Sequence, residues 1–116
     1  MDYKNFLNSL KKDLLEANEL YPSVKFFRKD IVCVWIWFLI LDCYYNENVI
    51  SSEKIINIIP SKYSSRPKIF NIINTACDKN YLLKILDEKD KRKFNLKPTK
   101  LCISEFENWA KIFKGF

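Results

Sequence analysis

Between Asp30 and Asp42 runs IVCVWIWFLIL, eleven apolar residues without interruption. Three structures bury such a run: a membrane span, a strand in a covered sheet, or a helix enclosed on nearly all sides. A helical span needs about 20 apolar residues, so this run is too short to cross a bilayer. Extending it through Cys43, Tyr44 and Tyr45 would carry Asp42 inside. The run is also longer than the usual buried strand of about 4–8 residues. The reading that remains is a buried helix over residues 24–45. In so small a chain its cover must come from every other element, and apolar surface left over calls for a second subunit.

The chain has the means to supply that cover. Its 116 residues suffice for one domain with its own core, without disulfides or metal. With 48% apolar and 16% aromatic residues it is folded rather than disordered. Cys33, Cys43, Cys77 and Cys102 show no C-x-x-C spacing, there is no His to complete a zinc site, and no secretory signal is evident. They read as free buried thiols of a cytoplasmic protein, with a redox-sensing role left open.

Leu7, Leu10, Leu14 and Leu15 mark an amphipathic helix over residues 3–20 that stops before Pro22. Beyond Asn46–Asn48, Ser51 caps a short helix carrying Ile55, Ile56, Ile58 and Ile59, and Pro60 ends it. Ser64 is placed to cap the next helix, with Pro67 tolerated in the first turn because its missing amide would have no intrahelical partner. Ile69, Ile72, Ile73, Ala76 and Cys77 form the apolar stripe of that helix, leaving Arg66, Lys68, Asn71, Asn74 and Thr75 on its other side.

Asn80 tolerates the left-handed backbone that stops a helix. Tyr81–Leu86 and Lys93–Lys97 then read as two short strands, with DEKDKRK at the hairpin tip. Ser104 to Glu107 has capping-box spacing and opens a last helix with Phe106, Trp109, Ala110 and Phe113 on one stripe.

Charge is segregated along the chain. Residues 1–60 hold seven Lys/Arg against eight Asp/Glu, and residues 61–116 hold thirteen against six, so the halves carry −1 and +7. An AT-rich coding sequence would account for seventeen of the twenty cations being Lys, but not for their placement. The basic half therefore suits an anionic partner. Arg and Lys reach guanine, Asn reaches adenine and Thr meets a thymine methyl in the major groove of DNA; an ordinary solvated helix face shows the same pattern. Catalysis has no support: His is absent, the sole Gly is Gly115, and Asp87, Glu88 and Asp90 sit among cations on an exposed tip. No cofactor or metal is expected, and no membrane association.

The segment SRPKIFNIINTACDKNYLLKILDEKDKRKFNLKPT, Ser65 to Thr99, resembles the DNA-binding region of MarR-type transcriptional regulators. In that family Ser-Arg or Ser-Lys opens the recognition helix, a turn ending in Lys-Gly leads into the first wing strand, the tip contains Asp-x-Arg, and the second strand ends in Leu-Thr. Ser65-Arg66, Asp78-Lys79-Asn80, Asp90-Lys91-Arg92 and Pro98-Thr99 occupy those places. Asn80 replaces the glycine, Pro98 the leucine, and the loop PSKYS is longer than the family's tight turn.

The resemblance implies a mainly α fold with a small β-hairpin wing, a winged helix-turn-helix in one domain over residues 1–116. Residues 1–45 would serve core and dimerisation, 51–100 the helix-turn-helix and wing, and 101–116 the last helix. It further implies a homodimer on double-stranded DNA, with Ser65, Arg66, Lys68 and Asn71 at the major groove and Lys91 and Arg92 in the minor groove. Asp90 would orient Arg92. Lys62, Lys84, Lys89 and Lys93 would add sequence-independent phosphate contacts. No residue points to an effector ligand. A second reading stays open: a winged-helix interaction module that holds a protein partner through its apolar helices and Trp35, Trp37 and Trp109.

Overall fold

Asp30 starts the central helix. Its carboxylate accepts from the Cys33 N–H at 2.9 Å, satisfying one of the amides a helix start leaves unpaired. The computed structural model describes residues 2–113. In it residues 24–45 are not one helix: α2 (Pro22–Phe27) and α3 (Ile31–Tyr45) are separated by Arg28-Lys29-Asp30. Pro22 is the reason at one end, since it stops the preceding helix and is itself accommodated at the first position of α2. At the other end Asp30 adopts an extended backbone to act as a cap.

Helix α3 buries Val32, Cys33, Ile36, Trp37, Ile40 and Leu41, while Ile31 and Phe38 on its other side remain exposed. Trp37 is the centre of the core. Phe27 lies parallel to it at 5.9 Å, and the rings of Phe106 and Trp109 approach at 5.6 and 5.5 Å. Offset and edge-on aromatic pairs of this kind are favourable beyond the area they bury.

Helix α1 (Tyr3–Leu20) forms as expected, but its leucine stripe is not in the core. Leu7, Leu14 and Leu15 are 60–64% exposed, and the helix buries Asp13 and Ala17 instead. The polar Asp13 is inside because it has partners there: its Oδ1 accepts from Arg28 Nη1 and from Trp109 Nε1. A second carboxylate ties α2 to the chain's end. Glu105 accepts from the backbone N–H of Ser23 at 2.8 Å and from its hydroxyl at 2.6 Å, capping a six-residue helix that has no side-chain cap of its own.

After α3 the chain turns at Glu47, whose φ is 57°, into β1 (Ile50–Ser51). Helices α4 (Ser52–Ile58) and α5 (Arg66–Asp78) follow, then β2 (Leu82–Leu86), β3 (Phe94–Pro98) and α6 (Lys100–Ala110). The strands make an antiparallel sheet in the order β1-β3-β2, with Ile50 opposite Leu96 and Lys84 opposite Leu96 on the other side. Strand β1 is a departure from expectation, since two residues carry no periodicity. Leu82, Leu96 and Pro98 point one way into the core, and Leu83, Ile85 and Lys97 point the other way, exposed.

Three caps refine the boundaries. Ser51 caps α4 as expected, accepting from the Lys54 N–H. Ser65 rather than Ser64 caps α5, leaving Ser64 buried with its hydroxyl on the Ser65 carbonyl. Thr99 rather than Ser104 caps α6 and also donates to the Asn80 carbonyl at 2.8 Å, so the last helix begins five residues earlier and Ser104 lies within it. Thr99 outcompetes because strand β3 delivers it, already extended, beside the Asn80 turn, where φ is 65°. The loop between α4 and α5 is held by Tyr63, whose ring packs edge-on to Trp35 at 5.8 Å.

Candidate nucleic-acid interface

Helix α5 presents the face the sequence suggests. Ile69, Ile72, Ile73 and Ala76 are buried, and Arg66, Lys68, Asn71 and Asn74 are exposed; Thr75 is half-buried. Ser65 sits at its start with its Oγ engaged by the Lys68 N–H at 3.3 Å. The wing stands beside this helix and is joined to it by Lys84 on β2, which donates to Asn74 Oδ1 at 2.7 Å. That bond explains why Lys84 and Asn74 are less available than their exposure suggests.

Between α4, the start of α5 and the wing lies an open groove of about 600 Å³, with Arg66, Phe70, Arg92, Lys93 and Phe94 among its lining. Two carboxylates share it. Glu53 takes Arg66 Nη2 at 2.6 and 2.7 Å, and Asp90 accepts from both the backbone N–H and Nε of Arg92 at 3.1 and 3.2 Å. The Arg92 side chain is otherwise 92% exposed, and Lys91 beside it is exposed as well.

Asp87 shapes the turn from which these residues project. Its Oδ1 accepts from the backbone N–H groups of Lys89 and Asp90, at 2.8 and 3.2 Å. Those two bonds hold its carboxyl below the usual carboxylate range. Among the described residues no group of three or more Cys, Asp or Glu side chains is placed to hold a metal ion.

The structure thus brings Arg66 and Arg92 to one groove and sets Lys68 and Asn71 along the helix beside it. Sequence reasoning missed Glu53, Asp87 and the Lys84–Asn74 bond. For Asp87 a signal existed, because an Asp two residues before the top of a turn commonly bonds the following amides. For Glu53 there was none, since its partner is thirteen residues away across an irregular loop.

No family model and no curated protein sequence matches the chain. Solved structures do. The MepR–DNA complex of S. aureus superposes with a TM-score of 0.62 at 14% identity, over 96% of this chain and 81% of that one. The fold is that of the MarR-type regulators. A MarR transcriptional regulator from Methanosarcina mazei Go1 gives a TM-score of 0.52 at 18% identity, covering 92% of this chain and 73% of that one. The haem sensor PefR from Streptococcus agalactiae, in complex with haem, gives 0.53 at 17%, with 94% and 71% covered. In the terms of this winged-helix fold α4 and α5 occupy the positions of the helix-turn-helix, and β2 and β3 those of the wing.

Proposed function

We propose that the protein is a transcription regulator that binds duplex DNA as a homodimer, with α5 in the major groove and the wing tip at the adjacent minor groove. The observation that carries this reading is the juxtaposition of an exposed polar helix face, Lys68 and Asn71, with a basic wing ending in Lys91 and Arg92. The similar fold of MepR, which is solved as a DNA complex, supports it. Arg92 suits the minor groove because a long cation is drawn to the negative potential where that groove narrows. Asp90 holds it in place without itself touching phosphate.

Homodimer formation is supported by the leucines of α1. Leu7, Leu14 and Leu15, each 60–64% exposed, give one helix an apolar face that the described residues do not cover. Two recognition helices related by a two-fold axis would read two half-sites about one helical turn apart. Nothing among the described helices is long and apolar enough to cross a membrane, and a cytoplasmic site of action accords with four free thiols.

Selection of bound duplexes from a random pool tests the reading. A palindromic consensus is the expected result. Absence of any duplex binding at low salt, from a protein that is folded, would sink it and favour the protein-interaction module.

A further inference from the structure

Each arginine lining the groove between α5 and the wing has a carboxylate within it. For Arg92 that carboxylate is Asp90, a neighbour in the same turn. For Arg66 it is Glu53, brought from the first turn of α4, whose two oxygens both take the same guanidinium nitrogen. The guanidinium also lies over the Phe70 ring at 5.5 Å, so it is clamped from two sides. Both members of the ion pair are accessible, 55% for Arg66 and 43% for Glu53. Exposed pairs are weak and exchangeable.

A phosphate entering the groove must therefore take Arg66 from Glu53 and leave an uncompensated carboxylate beside the DNA. A base edge can also receive Arg66 in bidentate fashion, and being neutral it is not repelled by that carboxylate as a phosphate is. We propose that Glu53 is a specificity-determining positioning residue: it holds Arg66 back from sequence-independent phosphate contacts, so that the arginine is released where a matching base is offered. This inference rests on the DNA-binding reading given above.

The test is duplex binding as a function of salt, on a selected and on a random duplex, for the wild type, Glu53→Gln, Arg66→Ala and the double variant. Glu53→Gln should bind the random duplex about two- to fivefold more tightly, the factor corresponding to an exposed ion pair. The slope of log affinity against log salt should steepen by about 0.9, one added phosphate contact. Preference for the selected duplex should fall by the amount by which the random duplex gains more than the selected one, since only the phosphate contact is relieved of repulsion. In the Arg66→Ala background the same substitution should change neither quantity.

Two results would overturn the proposal while leaving DNA binding intact. One is wild-type affinity and slope for Glu53→Gln on the random duplex. The other is an undiminished gain in the Arg66→Ala background, which would make Glu53 a general repulsive charge. A wild-type protein that binds no duplex removes both the proposal and the reading beneath it.

Discussion

The buried carboxylate of Asp13, in the middle of α1, accepts a hydrogen bond from the indole N–H of Trp109 near the end of α6. Arg28 completes the arrangement, pairing with the same oxygen while its guanidinium lies 5.6 Å from the Trp109 ring centre. Three elements remote in sequence are thereby fastened at one atom. Asp13→Ala should cost about 2–3 kcal/mol, less than a fully buried broken pair because the Arg28 side chain is 30% exposed. Trp109→Phe, which deletes the donor and part of the ring's packing surface, should cost at least about 1 kcal/mol. Urea midpoints at constant slope are the measurement, and equal stability of Asp13→Ala and wild type would show that the network contributes nothing.

Among the described residues Arg92 makes its side-chain bond only to Asp90, and it projects into solvent. Its replacement by alanine should leave the free energy of unfolding within about 0.5 kcal/mol of wild type, as surface ion pairs do. Duplex affinity at fixed salt should nevertheless fall, and the Lys91→Ala/Arg92→Ala double variant should lower the salt slope by up to about 2, near one for each lost cation. Indistinguishable binding by the double variant and the wild type would remove the wing from the mechanism.

The leucine face of α1 gives a prediction about assembly. Leu7→Glu with Leu14→Glu places two like charges on a surface 60–64% open in one chain, so folding of that chain should be little affected. The wild type should elute with the mass of a dimer and the variant as a monomer with the same circular dichroism. A wild type that is monomeric at micromolar concentration would contradict the proposed symmetry.

Burial pushes the Cys33 thiol from its ordinary value of 9.0 up to about 11 and the Cys102 thiol up to about 12. Asp30 adds to the effect at Cys33, and Glu105 at Cys102. Native thiols then hold protons that the unfolded chain has released, so stability is complete below about pH 9 and is lost as the pH rises through 11 to 12. Each group contributes a slope of at most about 1.4 kcal/mol per pH unit. Urea midpoints should be flat from pH 7 to 8.5 and should fall by pH 10.5, and Cys33 and Cys102 of the native protein should resist alkylation at neutral pH. Fast labelling of Cys33 or Cys102 at pH 7 would show instead that these thiols are accessible and reactive.

Much of the fold was legible because helix and strand periods are local. The Ile69, Ile72, Ile73 and Ala76 stripe of α5, the Ser51 cap, the Asn80 turn and the hairpin around DEKDKRK each depend on neighbours within a few residues. The exposed face of α5 followed from that stripe by elimination. The choice of Ser65 over Ser64, and of Thr99 over Ser104, was not legible in the same way. Adjacent hydroxyls compete for a cap on geometry that the preceding chain imposes.

What the sequence alone determined was which residues lie on a common face: an apolar helix too short for a bilayer, an amphipathic α1, a polar-faced α5 and a basic hairpin. Which surface each face meets was decided by tertiary structure. The α1 leucines turned outward because the contacts of Asp13 with Arg28 and Trp109 set the rotation of that helix. Arg66 came to pair with Glu53 because α4 and the start of α5 meet beside the wing. Periodicity reports the angle between residues on one helix; the partner across the gap is set by contacts between segments far apart in the chain, and no local pattern encodes them.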